Sequence, residues 1–251
     1  MAGHSKWAQI KRQKAVNDKA RGRLFAKLGR EIAVAAREAG GDPEFNPRLR
    51  TAIENAKAQN MPNENIDRAI KRGTGDLPGH SYEEAAYEGF GPGGVALYLD
   101  CLTDNPNRTV AELRHLLERR GGNLGQSGSV AWMFERKGQV RLDASACDEE
   151  AVLEVALEAG AENLDAEDGA FVVTTSPSRF HAVQEALRRA GLPVQEAELA
   201  MIPTSTLRLE GRDARKVIDL LDALDEHDDV QRVYSNVDIE EADWAALEAV
   251  R

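Results

Sequence analysis

The apolar residues of this chain change period near residue 90, and that switch limits the folds open to it. Before residue 75 they recur at three- and four-residue steps; beyond residue 90, short apolar runs alternate with amphipathic helical stretches. Leu24, Leu28, Ile32, Ala35 and Ala39, with Phe25 and Ala36 beside them, predict a helix over 24–39 that Gly40-Gly41 terminates. Lys27, Arg30 and Arg37 fall on its opposite face. Asn46-Pro47 marks a second helix start, because Asn suits the N-cap and proline suits the first helical position. Asn63 is placed to cap a third helix, with Ile66, Ala69 and Ile70 inward and Gly73 at its end. Residues 24–80 therefore read as a small helical domain, with 76–81 as its linker.

The later stretch reads strand 95–100, helix 109–119, strands 129–134 and 139–142, helix 149–159, strands 162–165 and 171–175, helix 178–190, strand 193–199, strand 205–210, helix 213–226 and strand 231–239. This order parses as two split βαββαβ units, one inserted at the central hairpin of the other, where loop tips tolerate insertion. The fold class expected is α+β: an N-terminal helical domain plus two ferredoxin-like βαββαβ domains. The outer domain takes 81–133 plus 204–240, the inserted one 134–203, and 241–251 form a last short helix. The inserted domain is acidic, with a net −9 over residues 140–200.

Charge is segregated. The chain of 251 residues carries a net −11, yet residues 1–80 carry +7 and residues 81–251 carry −18. In the first 30 residues nine basic side chains (Lys6, Lys11, Arg12, Lys14, Lys19, Arg21, Arg23, Lys27, Arg30) face Asp18 alone. With Trp7 among them, this pattern points to a polyanion partner for that end, namely nucleic acid, rather than to a solvated tail. A membrane surface fits less well, since residues 1–23 show no wide apolar face. Those residues read as an extended or partly helical basic arm, broken at Gly22 and disordered or variably placed in the free protein. No apolar run approaches the roughly 18 residues of a membrane helix, and the start of the chain has no apolar core of a secretory signal. Two cysteines without C-x-x-C spacing argue against a disulfide scaffold or a cysteine zinc site. The expectation is a cytoplasmic protein with no cofactor and no small-molecule substrate, a monomer being favoured.

Three motifs invite enzymatic readings. Gly89-Phe-Gly91-Pro-Gly-Gly94 spells G-x-G-x-x-G, but it precedes a strand instead of opening a helix, so a tight turn is expected. Asp100 and Asp104, near Asn105 and Asn107, offer carboxylates for a metal-dependent nuclease, against which stands the simpler reading of Asp104 and Asn107 as helix caps. The five histidines lie at no metal-ligand spacing. Residues 119–128 read as a polar, glycine-rich helix exit, able to touch RNA or a protein but more simply a flexible connection, and Trp132, Met133 and Phe134 read as core.

The N-terminal motifs Met1-Ala-Gly-His-Ser-Lys-Trp7, Lys19-Ala-Arg-Gly22 and Phe25-x-Lys-Leu28 resemble those of the YebC/PmpR family. Asn60-Met-Pro-x-x-Asn-Ile66, Arg68-Ala-Ile-Lys-Arg-Gly73, Tyr87-Glu-Gly-Phe-Gly-Pro-Gly-Gly-Val95, Leu102-Thr-Asp-Asn105, Asn107-Arg-Thr109 and Gly125-x-x-Gly-Ser-Val130 extend the likeness. Arg23, Leu24 and Phe90 depart conservatively from it. The resemblance implies a helical domain with two α/β domains, no enzyme activity, and a cytoplasmic DNA-binding transcriptional regulator. Related members, including a mitochondrial translational activator, imply the alternative of a translation factor bound to ribosomal RNA.

Overall fold

Helix α1 runs unbroken from Asp18 to Ala39. It therefore passes through Gly22, where the sequence suggested a break, because a lone glycine costs a helix only about 1 kcal/mol and the neighbouring turns supply the hydrogen bonds. In the computed structural model the described residues are 18–79, 81–167 and 169–239. The expected disorder of the arm and the helix expected over 241–251 concern residues 1–17 and 241–251, outside the described residues.

Helices α2 (Pro47–Ala58) and α3 (Asn63–Thr74) follow. The Asn46 side chain caps α2 by accepting from the Leu49 N–H, as its position before Pro47 suggests. Its amide group also donates to the Ala35 and Gly40 carbonyl oxygens, tying the end of α1 to the start of α2. Helix α3 starts one residue earlier than expected, with Pro62 in the cap position, and continues past Gly73 to a left-handed Gly75. Gly73 is needed for another reason: a Cβ there would run into the Ala33 carbonyl oxygen and crowd Ala36 Cβ at 2.8 Å.

The remaining elements are β1 (Glu83–Phe90), β2 (Ala96–Thr103), α4 (Pro106–Arg119), β3 (Asn123–Leu124), β4 (Phe134–Asp143), α5 (Glu149–Ala159), β5 (Asn163–Glu167), β6 (Ala170–Thr175), α6 (Phe180–Arg189), β7 (Val194–Pro203), β8 (Leu207–Arg208), α7 (Gly211–Asp225), β9 (Val230–Ser235) and β10 (Val237–Asp238). The fold is α+β, with N-terminal helices and two four-stranded sheets, ordered β3-β1-β2-β9 and β5-β6-β4-β7. The second sheet has the strand-helix-strand-strand-helix-strand order expected of the inserted unit.

The first sheet reaches four strands by a different route. β1, whose residues show no apolar alternation, forms an antiparallel hairpin with β2 from Glu83↔Thr103 to Phe90↔Ala96. The turn is Gly91–Val95, with Gly93 and Gly94 at φ 73° and 83°, so the G-x-G-x-x-G spelling is indeed a tight turn. Residues 131–133, expected as strand, form a 3-10 turn, and the strand expected over 205–210 shrinks to β8, paired with β10.

Contacts divide the described residues into two units: 18–27, 81–135 and 202–239 in one, 28–79, 136–167 and 169–201 in the other. In the first, Leu97, Leu99, Leu113, Leu117, Leu220 and Leu224 lead the core between the first sheet and helices α4 and α7. In the second, Val140, Leu142, Val173, Phe180, Val183 and Leu187 pack under α5 and α6. Here α2 joins the inserted sheet: Asn55 donates to the Ala197 carbonyl at 2.7 Å and accepts the Ala197 N–H at 2.9 Å, as a neighbouring strand would. Thr51 donates to Gln184 of α6 at 2.8 Å.

Candidate nucleic-acid interface

Lys6, Trp7, Lys11, Arg12 and Lys14, five of the ten residues proposed to bind nucleic acid, lie outside the described residues. Lys19 falls in the first turn of α1, and Arg21 is exposed. Arg23 and Lys27, four residues apart, share one face of α1. Arg23 Nη2 donates to Glu226 Oε1 at 2.9 Å, just past the end of α7. Lys27 Nζ donates to the Asp225 carbonyl oxygen at 2.7 Å and to its Oδ1 at 3.0 Å. Lysine at a helix C-terminus meets both an unpaired carbonyl and the negative end of the macrodipole. Lys27 thus holds α7, a role the sequence did not announce. Arg30 is half-buried, in the other unit.

The two carboxylates considered for a nuclease sit in different settings. Asp100 lies on β2 in register with Arg232 of β9, between the core residues Leu99 and Cys101, and so on the opposite sheet face from them. Asp104 stands beyond the strand end, paired with Arg108 at 3.0 Å. The cap of α4 is neither Asp104 nor Asn107 but Asn105, which accepts the Arg108 N–H at 3.2 Å. Thr109, where the expected helix 109–119 begins, lies within α4 with its hydroxyl turned to Asp229.

Asp229 is the most enclosed carboxylate of this region, 4% exposed. Its Oδ2 accepts from Arg108 Nη2 at 2.6 Å and from Thr109 Oγ1 at 2.7 Å. Burial pushes its pKa up, but the hydrogen bonds from Arg108 and Thr109 and the guanidinium charge outweigh that and hold it below the usual range. Ligand atoms of Glu112, His227 and Asp229 lie within 4.8 Å of one another. A cation there would compete with the guanidinium already bound to Asp229, so the cluster reads as a structural network.

A second buried carboxylate, Glu88 of β1, is 6% exposed. It accepts three backbone N–H groups, from Gly128 and Val130 at 2.7 Å and from Ala131 at 2.8 Å. Burial raises its pKa; the three N–H donors lower it further than burial raises it. The loop from residue 125 to 131 is therefore fixed rather than flexible. Trp132, expected in the core, is 74% exposed beside it, whereas Phe134 is buried as expected.

The N-terminal domain model of TACO1/YebC proteins matches residues 5–76, and the model of the TACO1/YebC second and third domains matches residues 82–237. The chain belongs to the TACO1/YebC family. Its similarity runs through nearly the whole length: it is 52% identical to a probable transcriptional regulatory protein of Natranaerobius thermophilus, over 96% of this chain and 98% of that protein. A probable transcriptional regulatory protein of Halothermothrix orenii is 56% identical over 95% of this chain and 96% of its own length. A crystal structure of a conserved hypothetical protein from Aquifex aeolicus superposes with a TM-score of 0.83 at 50% identity, covering 89% of this chain and 93% of that one. At the level these relatives support, this TACO1/YebC chain is a regulatory protein. Among the described residues no helix is long and apolar enough to cross a membrane.

Proposed function

We propose that this protein is a non-catalytic, nucleic-acid-binding regulator of gene expression that grips its target with its basic N-terminal segment. The observation that carries this reading is the segregation of charge: nine basic residues against one acidic in the first 30, in a chain of net −11. A segment so composed recruits phosphate by counterion release, while the acidic remainder is repelled from it. Relatives named as probable transcriptional regulatory proteins support the regulatory part. Arg23 and Lys27 are engaged with Glu226 and Asp225. The phosphate contacts accordingly fall to Lys6, Lys11, Arg12, Lys14, Lys19 and Arg21, with Trp7 stacking on a base and Arg30 contributing charge at longer range.

Lysine and arginine meet phosphate alike in duplex DNA and structured RNA. The segment therefore serves a DNA-binding transcription regulator, the role the relatives' names favour, and equally a translation factor on ribosomal RNA. Crosslinking the protein to nucleic acid in cells and sequencing what is bound tests the reading. Promoter DNA supports the first role and ribosomal RNA the second; recovery of neither above a control without crosslinking refutes nucleic-acid binding. Incubating labelled RNA and DNA with Mg²⁺ or Mn²⁺ tests the non-catalytic part: cleavage that disappears in Asp100→Asn or Asp104→Asn would establish a nuclease instead.

A further inference from the structure

Trp132 combines two properties that rarely coincide: it is exposed, and it is held. The residue is 74% exposed, yet its indole N–H donates to the Ser129 carbonyl at 3.1 Å. It stands in the 3-10 turn Ala131–Met133, whose first N–H groups the buried Glu88 carboxylate fixes. Leaving a tryptophan in water forgoes the stabilisation its burial would bring. A buried charge is spent here on holding the loop that presents it.

The surroundings select the occupant. Between Glu118 and Glu135, Arg119 and Arg120 are the only charged residues. Both arginines are exposed at the end of α4. Their helix exit and the Trp132 loop are pinned to the same end of β1: Asn123 pairs with Phe90, Leu124 with Gly89, and the Gly125 N–H bonds to the Glu88 carbonyl at 2.8 Å. Among the described residues the other large exposed apolar ones, Phe45, Leu77, Leu153 and Leu157, all belong to the other unit. Hot-spot residues of a protein interface sit clustered within a wider patch of contacts that excludes water, whereas a nucleobase needs one aromatic face and a nearby cation. We propose that Trp132 and the Arg119-Arg120 helix exit form a docking surface for unpaired nucleic acid, with a base stacked on the indole and phosphates on the guanidinium groups. This surface is separate from the N-terminal segment.

Trp132 is one of three tryptophans, so replacing Trp7 and Trp244 by phenylalanine isolates its emission. Titration with a 12-nucleotide oligo(U) is expected to quench that emission saturably, and a duplex of equal length is not. In the full chain, Trp132→Ala is expected to weaken oligo(U) binding about 5- to 150-fold with the salt slope unchanged, Trp132→Phe retaining most of the affinity. Arg119→Ala with Arg120→Ala is expected to make the log–log slope shallower by about 1.4. Trp132 is largely exposed, and the thermal midpoint checks that each variant is folded. Unchanged affinity in Trp132→Ala, or indole emission that oligo(U) leaves unaltered, overturns the proposal and leaves the indole to a protein partner. Both readouts stay informative even if deleting the N-terminal segment proves harmless to binding.

Discussion

Lys27 Nζ lies 2.7 Å from the Asp225 carbonyl oxygen and 3.0 Å from Asp225 Oδ1, closing the last turn of α7 from α1, 198 residues earlier in the chain. Both side chains are mostly enclosed, at 14% and 17% exposure. Lys27→Ala is expected to lower stability by about 0.5–2 kcal/mol, the range of a helix-terminus cation with a charged hydrogen bond. It should leave the salt dependence of nucleic-acid binding unaltered. Urea unfolding and a two-salt binding assay on the same variant check both halves.

Glu88 predicts an acid-sensitive loop. Its pKa is lowered in the folded state, so its stabilising contribution is complete above the ordinary carboxylate pKa and is lost as pH falls through the lower folded value. Glu88→Gln cannot satisfy all three N–H donors and should cost about 1.5–3 kcal/mol near neutral pH. Hydrogen exchange should report the loss locally, at the Gly128, Val130 and Ala131 amides. Protection there equal to the wild type would show that the carboxylate is not what orders the loop.

Arg108 and Asp229 should respond unequally. Asp229→Asn leaves Arg108 its pair with Asp104 at 3.0 Å and leaves the Thr103 and Thr109 hydroxyls, 2.7 Å apart, to bond each other. Arg108→Ala instead strands a buried carboxylate, the costlier outcome. In the wild type the depressed Asp229 pKa means its contribution fades only below the usual carboxylate range. Without the guanidinium, burial dominates, the pKa rises, and stability falls away at higher pH. Urea titrations from pH 3 to 7 should show this upward shift in Arg108→Ala and its disappearance when Asp229→Asn is added.

Gly73→Ala should destabilise the helical part although alanine is the better helix former by about 1 kcal/mol. The added methyl meets the backbone of α1 at Ala33, which cannot swing aside, so a net loss of about 1–3 kcal/mol is expected in thermal or urea unfolding.

How far the fold could be read depended on where polar residues sat. The helix that Asn46-Pro47 opens, and the turn that Gly93 and Gly94 form, follow from local chemistry and were legible. Strand β1 was not, because Glu83, Glu84 and Glu88 interrupt any apolar alternation, and Glu88 is buried for its hydrogen bonds rather than for its hydrophobicity. The same bonds turn residues 131–133 into a 3-10 turn where an apolar run suggested strand, and put Trp132 outside. Of the candidate site, the charge was plain from composition. That Lys27 is committed to α7 depends on a contact across 198 residues, which no local pattern encodes.

The central claim, that the N-terminal segment supplies the grip on nucleic acid, is tested most directly by the salt dependence of binding with and without residues 2–17. Those residues carry Lys6, Lys11, Arg12 and Lys14, and the deletion stops short of α1, which begins at Asp18. Engagement of about six phosphates predicts a log–log slope near −4 to −5 for the full chain. The deletion should flatten that slope by about 3, remove most of the affinity, and keep the unfolding midpoint. A deletion that binds with the affinity and slope of the full chain would contradict the account.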